Sequence, residues 1–185
     1  MNSRLFVGIN ISHLLKDVIL MSASTVECER KAIKWNTGTN LHITLSFLGS
    51  IEQSSIPDII RKIKSLYLVE PFKISIEKTG VFPNDTYPKA FWLGIEEGKH
   101  SLEGLHNSLN KILNGYIITK DQKIFIPHVT IGRSGSTMNY KTLNIQNYLN
   151  TLYKPVSINV NSIGLYESKL QPEGPTYTLL ENFTL

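Results

Sequence analysis

Apolar residues recur along the chain at two spacings, and each spacing predicts a type of element. Leu5 to Ile11 reads as a strand. Ser12 then reads as a helix N-cap, followed by Leu14, Leu15, Val18 and Ile19 at helical spacing. Ile33 to Trp35 is a short strand, and Leu41 to Leu48 a longer one ended by Gly49. A second helix begins near Ser54 or Ser55, with Pro57 in its first turn and Ile56, Ile59, Ile60 and Ile63 as its buried stripe. Phe72 to Val81 and Ala90 to Ile95 read as strands joined through the turn residues Phe82-Pro83-Asn84-Asp85. Leu102, Leu105, Leu109, Ile112 and Leu113 mark a third helix. A strand follows over Ile126 to Gly132, Gly135 lies in a loop, and Lys141 to Leu152 reads as a shorter helix. Val156 to Tyr166 and Tyr177 to Leu185 are the last strands, joined across Gln171-Pro172-Glu173-Gly174-Pro175.

Several neighbouring strands are joined by turns too short for a crossover helix. That favours an α+β fold with mainly antiparallel sheets over a doubly wound parallel sheet. No low-complexity linker interrupts the 185 residues, so 1–185 reads as a single domain. With 41% hydrophobic and 18% charged residues, the chain has the composition of a folded protein. No run approaches the roughly 18 apolar residues of a membrane span. Met1 to Ile11 lacks the continuous apolar core of a signal peptide, so the expectation is a cytoplasmic protein. The net charge of +4 fits an anionic partner but is also ordinary for an enzyme. The lone Cys28, among Glu27, Glu29 and Arg30, excludes an internal disulfide and reads as incidental.

One tetrapeptide pattern occurs twice, as His42-Ile43-Thr44-Leu45 and His128-Val129-Thr130-Ile131. On a strand, positions i and i+2 share a face, so each copy displays an imidazole beside a hydroxyl and turns its aliphatic residues to the other side. A single such histidine would read as a core residue. Two copies, each in an otherwise apolar strand, suit a shared phosphoryl-transfer site. One neutral imidazole can take a proton from water and one imidazolium can give a proton to the leaving oxygen. The hydroxyls of Thr44 and Thr130 can donate to non-bridging phosphate oxygens. Zinc is a competing use of paired histidines. No Asp, Glu or Cys stands at ligand spacing from either motif, so acid–base catalysis ranks above a metal. His13, His100 and His106 fall in or beside helices among polar neighbours and read as surface positions. Trp35, Phe82 and Trp92 could stack on bases, although core packing is the commoner use of such residues.

At these residues the chain resembles the two-histidine phosphoesterase superfamily, and within it the RNA 2',3'-cyclic phosphodiesterases historically named 2'-5' RNA ligases. Five segments carry the resemblance: Arg4-Leu5-Phe6-Val7, Trp35 with Asn40 through Gly49, Phe82-Pro83 through Gly94, Pro127 through Arg133, and Leu165 through Leu170 with Gly174 and Tyr177. It implies a bilobal α+β fold of two mainly antiparallel sheets with flanking helices, pseudo-twofold symmetry and an active-site cleft between the lobes. It implies metal-independent hydrolysis of RNA 2',3'-cyclic phosphate ends to 2'-phosphomonoesters, with no cofactor. The implied partner is RNA with such an end, tRNA fragments among them, and the implied protein is a monomer that needs no membrane. His42 would be the proton donor, His128 the proton acceptor, and Thr44 and Thr130 the phosphate-oxygen donors. The motifs alone do not say which histidine gives the proton.

Arg133, which follows the second motif, would bind substrate by the resemblance. Strict alternation puts it on the face opposite His128, unless a bulge near Gly132 turns it back. A structural ion pair is the other reading. Relatives acting on 2'-5' linked oligonucleotides or ADP-ribose cyclic phosphate offer alternative substrates for the same site. An RNA-end binding module without turnover is the rival from another class.

Overall fold

The computed structural model describes residues 1–11, 14–29, 31–36, 38, 40–66, 70–117, 124–171 and 174–185. The elements run β1 (Asn2–Asn10), α1 (Lys16–Ser24), β2 (Ile33–Trp35), β3 (His42–Glu52), α2 (Ile56–Lys64), β4 (Phe72–Phe82), β5 (Ala90–Ile95), α3 (Lys99–Ile112), β6 (His128–Ser134), α4 (Gln146–Leu149), β7 (Val156–Val160), β8 (Ser162–Gln171) and β9 (Gly174–Thr184). The proposed cap Ser12 lies outside the described residues. Helix α2 follows its sequence pattern closely. Pro57 sits in the first turn, Ile59 and Ile63 are fully buried, and Arg61, Lys62 and Lys64 place positive charge at the carbonyl end. Helix α3 buries Leu102, Leu105 and Leu109 and packs on β3.

The strands form one antiparallel sheet in the order β7-β4-β5-β6-β3-β1-β8-β9, with β2 also pairing β6. The order reads as two wings of four strands, and the strands carrying the His-x-Thr motifs meet at the seam. There the two sheets expected from the sequence become one through a single pair, Ile43↔Val129. Further along the same edge of β6, β2 takes over as partner through Ile33↔Ser134, Lys34↔Arg133 and Trp35↔Gly132.

Connectivity requires the sheet to curl. Strands β7 and β8 are six places apart in the order, about 29 Å across a flat sheet at ~4.8 Å per strand. Only Asn161 lies between them, and two residue steps span at most about 7 Å. The wings must therefore fold toward each other into a trough. This also corrects the reading of Val156 to Tyr166 as one strand. The extended run is real, but its first part pairs with β4 in one wing and its second part with β1 in the other.

Other boundaries differ from expectation. Gly49, read as a stop, has φ 78° and sits opposite Leu5 at an irregular register. The strand continues through Ser50 and Ile51, which pair with Arg4 and Ser3. The helix predicted over Lys141 to Leu152 contracts to Gln146–Leu149, where Tyr148 is the buried anchor and its hydroxyl donates to the Trp92 carbonyl at 3.0 Å. The last strand begins at Gly174, not Tyr177. Leu14 is exposed, while Leu15 and Ile19 are buried. The core holds the aliphatic partners of both motifs, Ile43, Leu45, Val129 and Ile131, none more than 1% exposed.

Candidate active site

The seam register determines what faces the cleft. With Ile43 opposite Val129 in antiparallel strands, His42 falls opposite Thr130 and Thr44 opposite His128. Residues opposite each other share a face, so all four polar side chains point the same way and are related by a local twofold axis between Ile43 and Val129. All four line a cleft of about 720 Å³. The two histidines lie on opposite sides of that axis. The structure thus brings together His42, Thr44, His128 and Thr130, and Arg133 lines the same cleft.

The histidines are held alike. His42 Nδ1 lies 2.8 Å from the Asn40 carbonyl, and His128 Nδ1 lies 2.7 Å from the Ile126 carbonyl. A carbonyl only accepts, so each Nδ1 carries the proton and each Nε2 is left for the cleft. Aromatic rings brace both. Phe6 and Tyr177 lie 4.8 and 4.9 Å from the His42 ring centre, and Phe82 lies 5.0 Å from that of His128. Burial holds both imidazoles below their ordinary value of 6.5. The carbonyl bonds oppose that shift, while Arg133 reinforces it at both rings and His128 reinforces it at His42.

Each motif ends in a β-bulge at the same place. On β3, Val7 pairs with Ser46 and Gly8 with Thr44, which leaves Leu45 out of the ladder. On β6, Phe91 pairs with Gly132 and Trp92 with Thr130, which leaves Ile131 out. A bulge shifts the alternation by one residue. Arg133 consequently sits opposite Ala90, on the face of Trp92 and Thr130, and lines the cleft. Among the described residues no carboxylate pairs with it. Gly132 is required here, because a Cβ would lie 2.7 Å from the Trp35 ring.

Both carbonyls left over by the bulges are capped. The Asn36 backbone N–H donates to Ile131 O at 2.7 Å. His106 Nδ1–H donates to Leu45 O at 2.6 Å. The surface reading of His106 is therefore wrong. Its ring stacks on Phe125 at 4.1 Å, its Nε2 accepts from Asn110 at 3.1 Å, and Asn110 Oδ1 accepts from the buried Ser46 hydroxyl at 2.7 Å. This circuit leaves β3 at Leu45 and returns at Ser46. The missed signal was helical spacing, since position 106 is one turn from Leu102 and Leu109 and borders their buried stripe. His100 is exposed beside Glu103, as expected, and His13 lies outside the described residues. Burial, then Glu29, pushes the Cys28 thiol above its ordinary value, consistent with an incidental residue.

Of the three candidate stacking aromatics, only Trp35 lines the cleft, and its ring also packs on Phe91. Phe82 and Trp92 pack on each other and back His128. Sequence reasoning assigned no site role to Lys34, nor to Arg4, Asn40 or Tyr177 beyond their place in the resembling segments, and all four also line the cleft. Asn40 Nδ2 donates to the Pro175 carbonyl at 2.8 Å and so ties the approach to the first motif to the closing hairpin. Among the described residues no three His, Cys, Asp or Glu side chains gather as a metal-ligand set. No helix among them is long and apolar enough to cross a membrane.

The curled antiparallel sheet is a fold shared with solved structures, a phosphoesterase among them, with a TM-score of 0.77 at 21% identity over 100% of this chain and 99% of that one. Escherichia coli LigT, in a crystal structure with 3'-AMP, superposes with a TM-score of 0.76 over 100% of this chain and 99% of that one, at 21% identity. The chain belongs to the 2'-5' RNA ligase superfamily, whose family model matches residues 24–171. RNA 2',3'-cyclic phosphodiesterases of Aquifex aeolicus and Methanothermobacter thermautotrophicus are 34% and 30% identical to it. The alignments cover 98% and 100% of this chain and 97% and 100% of those relatives.

Proposed function

We propose that the protein hydrolyses the terminal 2',3'-cyclic phosphate of RNA to a 2'-phosphomonoester, with His42 as proton donor and His128 as proton acceptor. The observation that carries this reading is the seam itself: two imidazoles with their Nε2 atoms available, on opposite sides of a twofold axis, each beside a threonine hydroxyl. In-line displacement needs a base on the attacking side and an acid on the leaving side. His128 Nε2 takes a proton from water as the water oxygen bonds to phosphorus. The bond from phosphorus to the 3'-oxygen breaks, and that oxygen takes the proton from His42 Nε2. Thr44 and Thr130 donate to the non-bridging oxygens, and Arg133 balances their charge. The anionic phosphate favours the protonated form of His42 that burial disfavours. Each acid or base role is worth about 10²–10⁴-fold. The relatives named as RNA 2',3'-cyclic phosphodiesterases support the same substrate class.

The test is product analysis on an oligonucleotide ending in a 2',3'-cyclic phosphate, incubated with the enzyme in EDTA. A 2'-phosphate end at an undiminished rate is expected. A 3'-phosphate product would overturn the assignment of the leaving oxygen, and loss of turnover on chelation would overturn the metal-free scheme. Parallel rates on a 2'-5' linked oligonucleotide and on ADP-ribose cyclic phosphate decide between substrates. Tight binding with unchanged RNA would instead identify an end-binding module.

A further inference from the structure

The cleft is larger than one phosphate requires, and its charge is one-sided. Arg4, Lys34 and Arg133 line it, and no described lining residue is acidic. Lys34 and Arg133 are directly opposite each other on β2 and β6, a placement that costs energy unless an anion lies between them. Arg4 stands apart from that pair. Each motif strand has a residue in fifth place after its histidine, Arg133 on β6 and Phe47 on β3. Where Arg133 supplies a guanidinium directly, Phe47 supplies a ring, and the Arg4 guanidinium from β1 lies over it at 4.9 Å from the ring centre. The ring covers one flat face of the guanidinium and leaves its in-plane N–H fork available for two parallel bonds to phosphate oxygens. The cross-strand neighbours of Arg4 are Ser50 and Ser168, so no carboxylate neutralises it there.

Position separates the two arginines. Gly8 pairs with Thr44 at the reacting centre, and four residue steps of extended strand, about 13 Å, separate Gly8 from Arg4. Both guanidiniums favour the charged form of the Tyr177 hydroxyl, and Arg133 also disfavours charge on both histidines. Arg133 thus belongs to the inner phosphate and Arg4 lies further out along the cleft.

We infer that Arg4, stacked on Phe47, is a second anion subsite that holds the phosphodiester on the 5' side of the terminal nucleotide. The inference rests on the cyclic phosphodiesterase reading above and makes the enzyme selective for oligonucleotide ends over free cyclic mononucleotides. The test compares kcat/KM on a dinucleotide ending in a 2',3'-cyclic phosphate with kcat/KM on the corresponding cyclic mononucleotide. A charge-assisted bond pair predicts a preference of about tenfold or more for the dinucleotide. In Arg4→Gln the preference should fall to near one, and Arg4→Lys should restore part of it. A wild-type ratio near one, an unchanged ratio in Arg4→Gln, or equal slowing on both substrates would each overturn the inference. A binding arm needs no turnover. The 3'-phosphorylated dinucleotide should bind more tightly than the nucleoside 3'-monophosphate, with the difference lost in Arg4→Gln. If the wild type turned over neither substrate yet showed that difference, the catalytic reading would fail and the subsite would stand.

Discussion

Replacing His106 with alanine tests whether the bulge beside the first motif is held from the helix side. The substitution removes the Nδ1–H bond to Leu45 O, at 2.6 Å, and the stack on Phe125. The Leu45 carbonyl belongs to a residue 1% exposed and outside the strand ladder, so water does not readily replace the lost donor. A buried acceptor left unpaired costs about 1–3 kcal/mol. Losing the ring stack adds about 0.5–1.5 kcal/mol. The expected total is about 2–4 kcal/mol, which a typical stability of 5–15 kcal/mol survives. For a chain of this length that corresponds to a fall in Tm of about 4–16 °C. Urea unfolding should show a lower midpoint at unchanged slope. His106→Gln, which keeps an amide N–H within reach of Leu45 O, should recover the hydrogen-bond share but not the stack. Because Leu45 adjoins Thr44, kcat on the cyclic substrate should fall as well. A loss in His106→Ala below about 0.5 kcal/mol would refute the reasoning.

Replacing either His42 or His128 with alanine should lower kcat by about 10²–10⁴-fold while leaving the far-UV spectrum unchanged, and near-native turnover in both would sink the acid–base scheme. Thr44→Val and Thr130→Val keep side-chain shape and remove a donor. Each should cost about 10–10³-fold in kcat, visible in single-turnover rates. The profile of kcat/KM against pH should be bell-shaped with its maximum below 6.5, because both imidazoles are held below that value. As pH rises, His42 loses the proton it must donate, and as pH falls His128 gains one it must not hold. Arg133→Gln removes a positive charge that depresses both groups, so its profile should move to higher pH, and an unmoved profile would count against that placement.

The motif strands and the helical stripes were legible because they depend on local alternation and spacing. Ile43, Leu45, Val129 and Ile131 declare a core strand, and His42 with Thr44 declares a polar face. What the sequence concealed lies in pairings between distant segments. Nothing local marks Leu45 or Ile131 as the residue left out of a ladder, yet the first bulge decides that Phe47 faces the cleft and the second that Arg133 does. The break at Asn161 is equally silent, since Val156 to Tyr166 is uniformly extended and only its partners change. The short α4 has a local cause that was read too generously. Asn144, Asn147, Asn150 and Thr151 compete for backbone groups, and the Thr151 and Asn150 side chains bond the Asn147 and Gln146 carbonyls instead of extending the helix.

The crossing at Asn161 also bears on how the enzyme can move. A strand run shared by both wings is a covalent strap across the trough, and the seam at Ile43 and Val129 is a second tie. Two ties leave little room for one wing to swing away from the other, so the spacing of the two motif strands is built into the fold. An anionic substrate held between wings tied in this way would forfeit little free energy to rearrangement.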